Sequence, residues 1–280
     1  MSNVGLIGAS LKHSISKDLH MNAAGQFNLQ LEYNLWEIES NIEKFIHKVR
    51  DSNILGFNIT IPYKEKVISF LDELDPISEE IGSVNTVVNN NGKLIGYNTD
   101  LYGIQKSFEL NNTNILDKKI FIIGSGGVAK TLIYYFIKNH AGQIIVVNRS
   151  ASKFSSIKSF GNEIECLTFD DPKLSIAQLN ADIIVNATPF GMKFSTLEGQ
   201  LPPFHTSFNS NQLIFDLVYN PELTPLVLLA NKMGSKTITG LGMLVYQAAK
   251  SFELWTNQFP NEEEMLIEGR KILSNNEGNF

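Results

Sequence analysis

Apolar and polar positions along the chain follow two regimes, which change near residue 119. In the first, an apolar run at 4–7 precedes a helically spaced stretch at 17–26, a strand-like run at 31–38, a second helical stretch at 42–51 and a short β-rich run at 56–61. Pro62 closes that run because it cannot donate to a central ladder, and it suits the first turn of a helix over 63–71. SVNTVVNNNGKLIGYNTD then holds two apolar runs joined by Asn-Asn-Asn-Gly, which predicts a β-hairpin. This portion reads as a mixed sheet with helices.

From Lys119 onward strands are predicted at 120–123, 143–147, 163–168, 182–186 and 212–217, with helical stretches between most of them and a short strand at 236–239 to complete the set. Strands joined by helical crossovers predict a parallel, doubly wound sheet of the Rossmann type. After Gly240, residues 241–256 carry Leu244, Ala248 and Leu254 with other apolar residues interleaved, the pattern of a helix buried on most faces and packed between domains. The fold class is therefore α/β: a Rossmann domain over 101–240, and an α/β domain with a mixed sheet over 1–100, to which C-terminal helices in 241–280 return. The junctions fall near 100–118 and 240, with a cleft between the lobes, where small-molecule sites preferentially occur. The polar tail NNEGNF is expected to fray.

Composition narrows the function classes. With 280 residues, 43% of them apolar, the chain can bury two modest cores. A formal charge of −6, five histidines and no long basic block leave no electrostatic footprint for a nucleic acid. The opening MSNVGLIGAS lacks a basic segment followed by a long apolar one, and no stretch of about 18 uncharged apolar residues occurs, so no membrane is expected and the protein is read as cytoplasmic. The single Cys166 can form neither an internal disulfide nor a thiolate metal cluster, and reads as a small buried apolar residue; no metal is expected.

Gly124-Ser125-Gly126-Gly127-Val128-Ala129 fits G-x-G-x-x-[GA], follows an apolar strand and opens a helix. Glycines there permit a tight turn and close approach of a pyrophosphate, whose charge a helix N-terminus favours. The turn alone leaves FAD open. The next strand ends in Asn148-Arg149-Ser150, where an acid would hydrogen-bond a ribose 2′-hydroxyl and repel a 2′-phosphate. A cation with neutral donors selects NADP over NAD, and Lys153 adds a second cation nearby.

Polar groups of the first portion gather after strands: Ser14 and Ser16 at a helix start, where spacing alone favours capping, Thr60 and Lys64 at a strand-to-helix turn, and Asn85 and Asp100 in corresponding loops. A Lys, an Asp and several neutral hydrogen-bonding residues suit a polyol acid. Together HSIS, GFNITIPYKE, SVNT, YNTD, IGSGGVAK, NRS, NATPFGM, FDLVYNPELTPL and GLGMLVYQAAKSFELW resemble the shikimate dehydrogenase family, in family order over nearly the whole chain. The resemblance implies a two-lobe fold, with 1–100 and 241–280 binding substrate, and reversible NADPH-dependent reduction of 3-dehydroshikimate to shikimate in aromatic amino acid (chorismate) biosynthesis. It further implies that Ser14 and Ser16, helped by Tyr219, hold the substrate carboxylate, and that Thr60, Asn85, Asp100 and Gln247 contact its hydroxyls. Lys64 and Asp100 are then the proton-transfer pair: hydride arrival makes the carbonyl oxygen an alkoxide, which a nearby ammonium stabilises and protonates, while Asp100 orients that ammonium. By the same resemblance, Thr188 lies in the loop beneath the nicotinamide, Leu217 near the same ring, and Gly240 and Met243 on the cofactor side of the cleft. Read without it, Met243 is a core residue of a buried helix.

Three positions depart from the family pattern: Ala9-Ser10 where Asn-Pro is usual, and Lys17 where Pro is usual. A lost Pro is expected to loosen the loop that presents Ser14 and Ser16. Three other readings share the fold. A quinate/shikimate dehydrogenase would accept an added hydroxyl and often prefer NAD, which Arg149 opposes. A non-catalytic NADP-sensing protein would have no need of both Lys64 and Asp100. A methylene-folate dehydrogenase would lack the Ser-x-Ser and Gln247 segments. The expected partner is a small-molecule substrate, and the expected state a monomer or homodimer.

Overall fold

The computed structural model describes residues 2–39, 41–161, 163–203 and 207–277. In chain order the elements are β1 (Ser2–Gly8), α1 (Ser16–Gln26), β2 (Leu31–Glu37), α2 (Ile42–Arg50), β3 (Ile54–Ile59), β4 (Glu73–Leu74), α3 (Pro76–Ile81), β5 (Thr86–Asn90), β6 (Lys93–Tyr97), α4 (Asp100–Leu110) and β7 (Lys119–Ile123). They continue with α5 (Gly127–Lys138), β8 (Gln143–Asn148), α6 (Phe154–Lys158), β9 (Glu165–Thr168), α7 (Leu174–Leu179), β10 (Ile183–Asn186), β11 (Leu213–Asp216), α8 (Pro225–Lys232), β12 (Lys236–Thr239), α9 (Gly240–Thr256) and α10 (Glu262–Glu277). The chain divides into two compact units, Met1–Gly103 with Leu244–Phe280, and Ile104–Met243. Both crossings between units fall inside helices, α4 and α9.

The first unit is built on a six-stranded mixed sheet of order β2-β1-β3-β5-β6-β4. β1 runs parallel to β2 and β3, and β5 is antiparallel to both β3 and β6. The hairpin between β5 and β6 turns at Asn91 (φ 52°) and Gly92 (φ 91°), the two left-handed positions that Asn-Gly tolerates best, and Asn89 Oδ1 accepts from Gly92 N at 2.8 Å. Helix α2 buries Ile42, Ile46 and Val49 at helical spacing against Phe57, Ile59 and Val87, and Asn41 Oδ1 caps it by accepting from Lys44 N. Each such fully buried aliphatic side chain contributes on the order of 1.5–3 kcal/mol.

Residues 63–71 do not form the expected α-helix. Only a 3₁₀ turn at Lys66–Phe70 is present, and Pro62 lies ahead of it rather than in its first turn. The cause is competition for a carbonyl: that of Lys64, which would accept from Ile68 N in a helix, accepts instead from Val84 N at 2.9 Å. Helices α3 and α4 were not read from the pattern, and α4 stands where the junction was expected. Of the polar tail, residues 275–277 are helical instead of frayed, and the rest lies outside the described residues.

The second unit is a six-stranded parallel sheet of order β12-β11-β10-β7-β8-β9. Reading outward from β7, this is the doubly wound order, in which the chain switches direction between β7 and β10 and opens a crevice at their carboxyl ends. Phe121, Ile123, Ile145, Val147, Ile184 and Ile214 share one core cluster on one face, and the alternate Ile120, Ile122, Ile144, Val146, Ile183 and Val185 are buried too, which accounts for strands that are near-continuous apolar runs. Cys166 corrects an expectation: it is half-buried, because it sits on the edge strand β9, whose inward residue is Leu167, and partial burial pushes its thiol pKa up. No residue of α9 is exposed, in keeping with its apolar pattern. Among the described residues no helix is long and apolar enough to cross a membrane.

Candidate active site

In the first unit strand register brings the polar groups together. Asn58 on β3 pairs with Thr86 on β5, and Thr86 pairs with Tyr97 on β6. Ile59 N donates to Asn85 O at 2.8 Å and Asn85 N to Tyr97 O at 3.1 Å, so the chain ends leading to Thr60, Asn85 and Asp100 leave the sheet side by side. Lys64 Nζ donates to Asp100 Oδ2 at 2.5 Å, with side-chain exposures of 17% and 5%. Asp100 Oδ1 accepts from Asn85 Nδ2 at 2.9 Å, and Gln247 Oε1 on α9 accepts from the same amide at 3.2 Å. Backbone N–H of Thr99 donates to Asn85 Oδ1 at 2.7 Å, which fixes the carboxamide so that its NH₂ faces Asp100. A half-buried ammonium against a buried, doubly held carboxylate can stabilise a developing oxyanion and move a proton to it.

Ser14 and Ser16 lie at the start of α1. Ser14 Oγ accepts from Ser16 N at 3.3 Å and donates to Ser16 Oγ at 3.1 Å, a local turn ahead of the helix; the N-cap position is Ile15 and α1 has no side-chain cap, so the capping that the spacing favours is not formed. In the loop ahead of Ser14, Leu11 N donates to the Glu37 carboxylate at 2.8 Å, Ser14 N to Leu11 O at 2.9 Å and Ala9 N to Ile61 O at 3.3 Å. Thr60, partly exposed, follows β3 in the turn closed by Tyr63 N donating to Thr60 O.

Behind these groups lie residues that sequence reasoning missed. Asn58, Thr86, Thr99 and Ser251 are buried and mutually hydrogen-bonded, and Tyr33 Oη donates to Asn58 Oδ1 at 3.0 Å. The only trace in the sequence is a polar residue interrupting an apolar run, as Asn58 does in GFNITI. His20 is fully buried, its ring stacked 4.6 Å from that of Tyr33, and burial pushes its pKa down to about 3.

In the second unit Gly124 ends β7 with φ 110°, and a Cβ there would stand 2.8 Å from Ala187 O just past β10. Glycine is thus required by conformation and by space at the switch point. A Cβ on Gly126 would meet nothing within 4 Å, and the N-terminus of the twelve-residue α5 has no side-chain cap. Open space before uncapped amides fits a pyrophosphate laid on the helix N-terminus by Gly124 to Ala129, with Ser125 and Val128 in the same turn. At the end of β8, Asn148 Nδ2 donates to Ser150 O at 3.0 Å and Ser150 Oγ accepts from Ser152 N, which preforms the turn. Arg149 and Lys153 are exposed and form no ion pair among the described residues. They suit a phosphate on the ribose.

Past β10 and β11 a second buried network appears, also missed from sequence. Asp216 accepts from Asn186 Nδ2 (2.9 Å), Thr224 Oγ1 (2.6 Å) and Val218 N (3.1 Å), and burial still pushes its pKa up to about 6. Asn186 Oδ1 in turn accepts from Thr188 N (3.1 Å) and Thr188 Oγ1 (2.6 Å), so the carboxylate holds the Thr188 loop through one carboxamide. Leu217 is half-buried, and Gly240 lies so close that a Cβ there would be 2.3 Å from Leu217 O. Met243 is buried, and Tyr219, partly exposed, follows β11 in this unit, whereas Ser14 and Ser16 belong to the other. Among the described residues no cluster of three or more metal-ligating side chains occurs.

A doubly wound sheet with a glycine turn at its switch point, together with a mixed-sheet unit carrying a lysine–carboxylate site, defines a two-domain α/β protein of the dinucleotide-binding class. Family models described as the shikimate dehydrogenase substrate binding domain, shikimate / quinate 5-dehydrogenase and the shikimate 5′-dehydrogenase C-terminal domain match residues 6–87, 105–241 and 240–266. The shikimate dehydrogenase (NADP(+)) of Methanococcus maripaludis is 38% identical over 277 residues, covering 97% of this chain and 96% of the relative. The chain belongs to the shikimate dehydrogenase family. The crystal structure of the Thermus thermophilus enzyme in complex with NADP(H) and shikimate is similar at a TM-score of 0.85 and 26% identity, covering 97% of this chain and 99% of that one. Quinate dehydrogenase from Corynebacterium glutamicum in complex with NAD is also similar, with a TM-score of 0.85 and 25% identity over 95% and 98% of the two chains.

Proposed function

We propose that the protein is an NADP-dependent oxidoreductase that interconverts 3-dehydroshikimate and shikimate, acting in the cytoplasm as a monomer or homodimer in aromatic amino acid biosynthesis. Bound NADPH supplies the hydride that reaches the carbonyl carbon. Lys64 Nζ gives its proton to the oxygen as negative charge develops there, and solvent returns a proton to the amine. Asp100 holds the ammonium in place, Asn85 donates to the carboxylate while Gln247 accepts from Asn85, and both contact ring hydroxyls alongside Thr60. Ser14 and Ser16, with Tyr219, hold the substrate carboxylate. The turn from Gly124 to Ala129 carries the pyrophosphate, Asn148, Arg149, Ser150 and Lys153 the ribose phosphate, and Thr188, Leu217, Gly240 and Met243 the nicotinamide end.

The observation that carries this reading is the Lys64–Asp100–Asn85 chain of hydrogen bonds at 2.5 and 2.9 Å in a family member of nearly full length. The test follows reduced-nicotinamide absorbance with shikimate or quinate against NADP or NAD. Shikimate with NADP should be at least about tenfold faster than any other pair. Equal rates with quinate would move the substrate assignment to the quinate enzymes, and no turnover of either acid would refute the reading.

A further inference from the structure

We propose that the hydroxyls of Thr86 and Ser251 are positioning groups for the Lys64–Asp100 pair, acting through the carboxamide of Asn85. This rests on the reading of that pair as the proton-transfer machinery.

Neither hydroxyl is hydrogen-bonded to Lys64 or Asp100, and both residues are fully buried. With Thr99 they form a triangle of oxygens: Thr86 to Ser251 2.8 Å, Ser251 to Thr99 2.9 Å, Thr86 to Thr99 3.1 Å. Three hydroxyls bring three protons, and the acceptors around them dictate where these go. Ser251 Oγ donates to Gln247 O one helical turn earlier at 2.9 Å, so its lone pairs are left to accept from the sheet side. Asn58 Nδ2 donates into the triangle at 3.0 Å to both Thr86 and Ser251, and its orientation is set by Tyr33 on its other atom. Ser251 Oγ can take one of the two threonine protons, and the other has an outlet at Asn85 Oδ1, 3.2 Å from both Thr86 Oγ1 and Thr99 Oγ1; Thr99 Oγ1 also accepts from Asn85 Nδ2 at 2.9 Å, so Thr86 is the hydroxyl that meets the carbonyl end alone.

That outlet matters because the carboxamide has two orientations. In the observed one Nδ2 faces Asp100 Oδ1; in the flipped one a carbonyl oxygen would face the carboxylate and the NH₂ would face the N–H of Thr99. Protons delivered to Oδ1 favour the first orientation, and buried networks of this kind polarise one another, so removing a donor at the back is felt at Asp100. Ser251 also stands one turn from Gln247, so the same hydroxyl ties the helix that carries Gln247 to β3 and β5.

A pair of substitutions separates hydroxyl from shape. Thr86→Val keeps the volume and loses the hydroxyl; Thr86→Ser keeps the hydroxyl and loses the methyl. Thr86→Val should lower kcat for shikimate oxidation about tenfold, with KM within about threefold, and should move the pH of half-maximal kcat by about half a unit or more. Thr86→Ser should stay within about threefold of wild type in kcat with an unmoved profile, and Ser251→Ala should follow Thr86→Val. The Asn85 side-chain amide signal in ¹⁵N-labelled protein, assigned with Asn85→Asp, reads the orientation without turnover: it should shift or broaden in Thr86→Val and persist in Thr86→Ser. If wild type turns over no shikimate, the functional reading fails while the amide signal still decides the positioning. A Val variant with wild-type kinetics and amide signal, or a Ser variant as impaired as Val, overturns the proposal.

Discussion

Lys64 Nζ lies 2.5 Å from Asp100 Oδ2, on the oxygen opposite the one that accepts from Asn85. Each oxygen of the carboxylate is thus committed, and the ammonium is held at a single point with its remaining N–H bonds available to a ligand. Lys64→Ala removes the proton donor and leaves Asp100, Asn85 and Gln247 in place. The expected result is a kcat lowered by about 10² to 10⁴ with shikimate KM changed only modestly. Steady-state kinetics in both directions check this, and a variant with undiminished kcat would exclude Lys64 from proton transfer.

Arg149 leaves a preformed turn and meets no carboxylate among the described residues. A charge-assisted hydrogen bond contributes about 1.5–3 kcal/mol, so Arg149→Ala should weaken NADP binding by about 10- to 100-fold while leaving NAD nearly unchanged. Titration of nicotinamide fluorescence with NADPH and NADH gives both dissociation constants. Parallel losses for the two cofactors would mean that Arg149 does not read the 2′-phosphate.

What is legible in the sequence depends on the range of the interactions that decide each element. The β5–β6 hairpin and the glycine turn were legible because their determinants, Asn91-Gly92 and Gly124 to Ala129, are local. Residues 63–71 misled because the decisive partner of the Lys64 carbonyl is Val84, twenty positions away. Cys166 was read as buried because composition does not reveal that its strand is an edge. Asn58, Thr86, Ser251, Asn186 and Asp216 were invisible for a related reason: a polar residue inside an apolar run interrupts the pattern without saying what it will face. For Asn58, Thr86 and Ser251 the partners come from other strands and from α9, and for Asn186 and Asp216 the strand register pairs the two while Thr188, Val218 and Thr224 follow in the loops.

His20 and Asp216 give the two units opposite responses to acid. His20, with its pKa depressed to about 3, stays neutral in the fold while the unfolded chain takes up a proton below pH 6.5, so acidification toward pH 3 removes stability from the first unit. Asp216, raised from 3.8 to about 6, binds its proton more readily in the fold, so its contribution is full below pH 3.8 and is lost as the pH rises through 6. Each effect is of order a few kcal/mol. Hydrogen exchange at pH 6.5 and 4.5, corrected for intrinsic rates, should show protection falling in β1 and β3 and rising in β10 and β11. His20→Phe should flatten the first trend and Asp216→Asn the second, and trends unaltered by these substitutions would assign the pH dependence to other groups.

Gly124 and Gly126 differ in what a methyl group would meet, and this separates folding from cofactor binding. At Gly124 the left-handed φ of 110° and the carbonyl of Ala187 2.8 Å from the position of a Cβ both oppose any side chain. Gly124→Ala should therefore cost about 2–4 kcal/mol of stability, measured by urea denaturation with NADP absent. At Gly126 φ is −83° and a Cβ would enter open space, so Gly126→Ala should lower the unfolding free energy by no more than about 1 kcal/mol, the cost of Ala at an N-cap. The same methyl would stand where a pyrophosphate must approach the backbone, and NADP affinity should fall by at least about tenfold. Unchanged affinity in a stable Gly126→Ala protein would mean that the cofactor does not lie over the α5 N-terminus, and the resemblance of 124–129 to a dinucleotide turn would then be structural only.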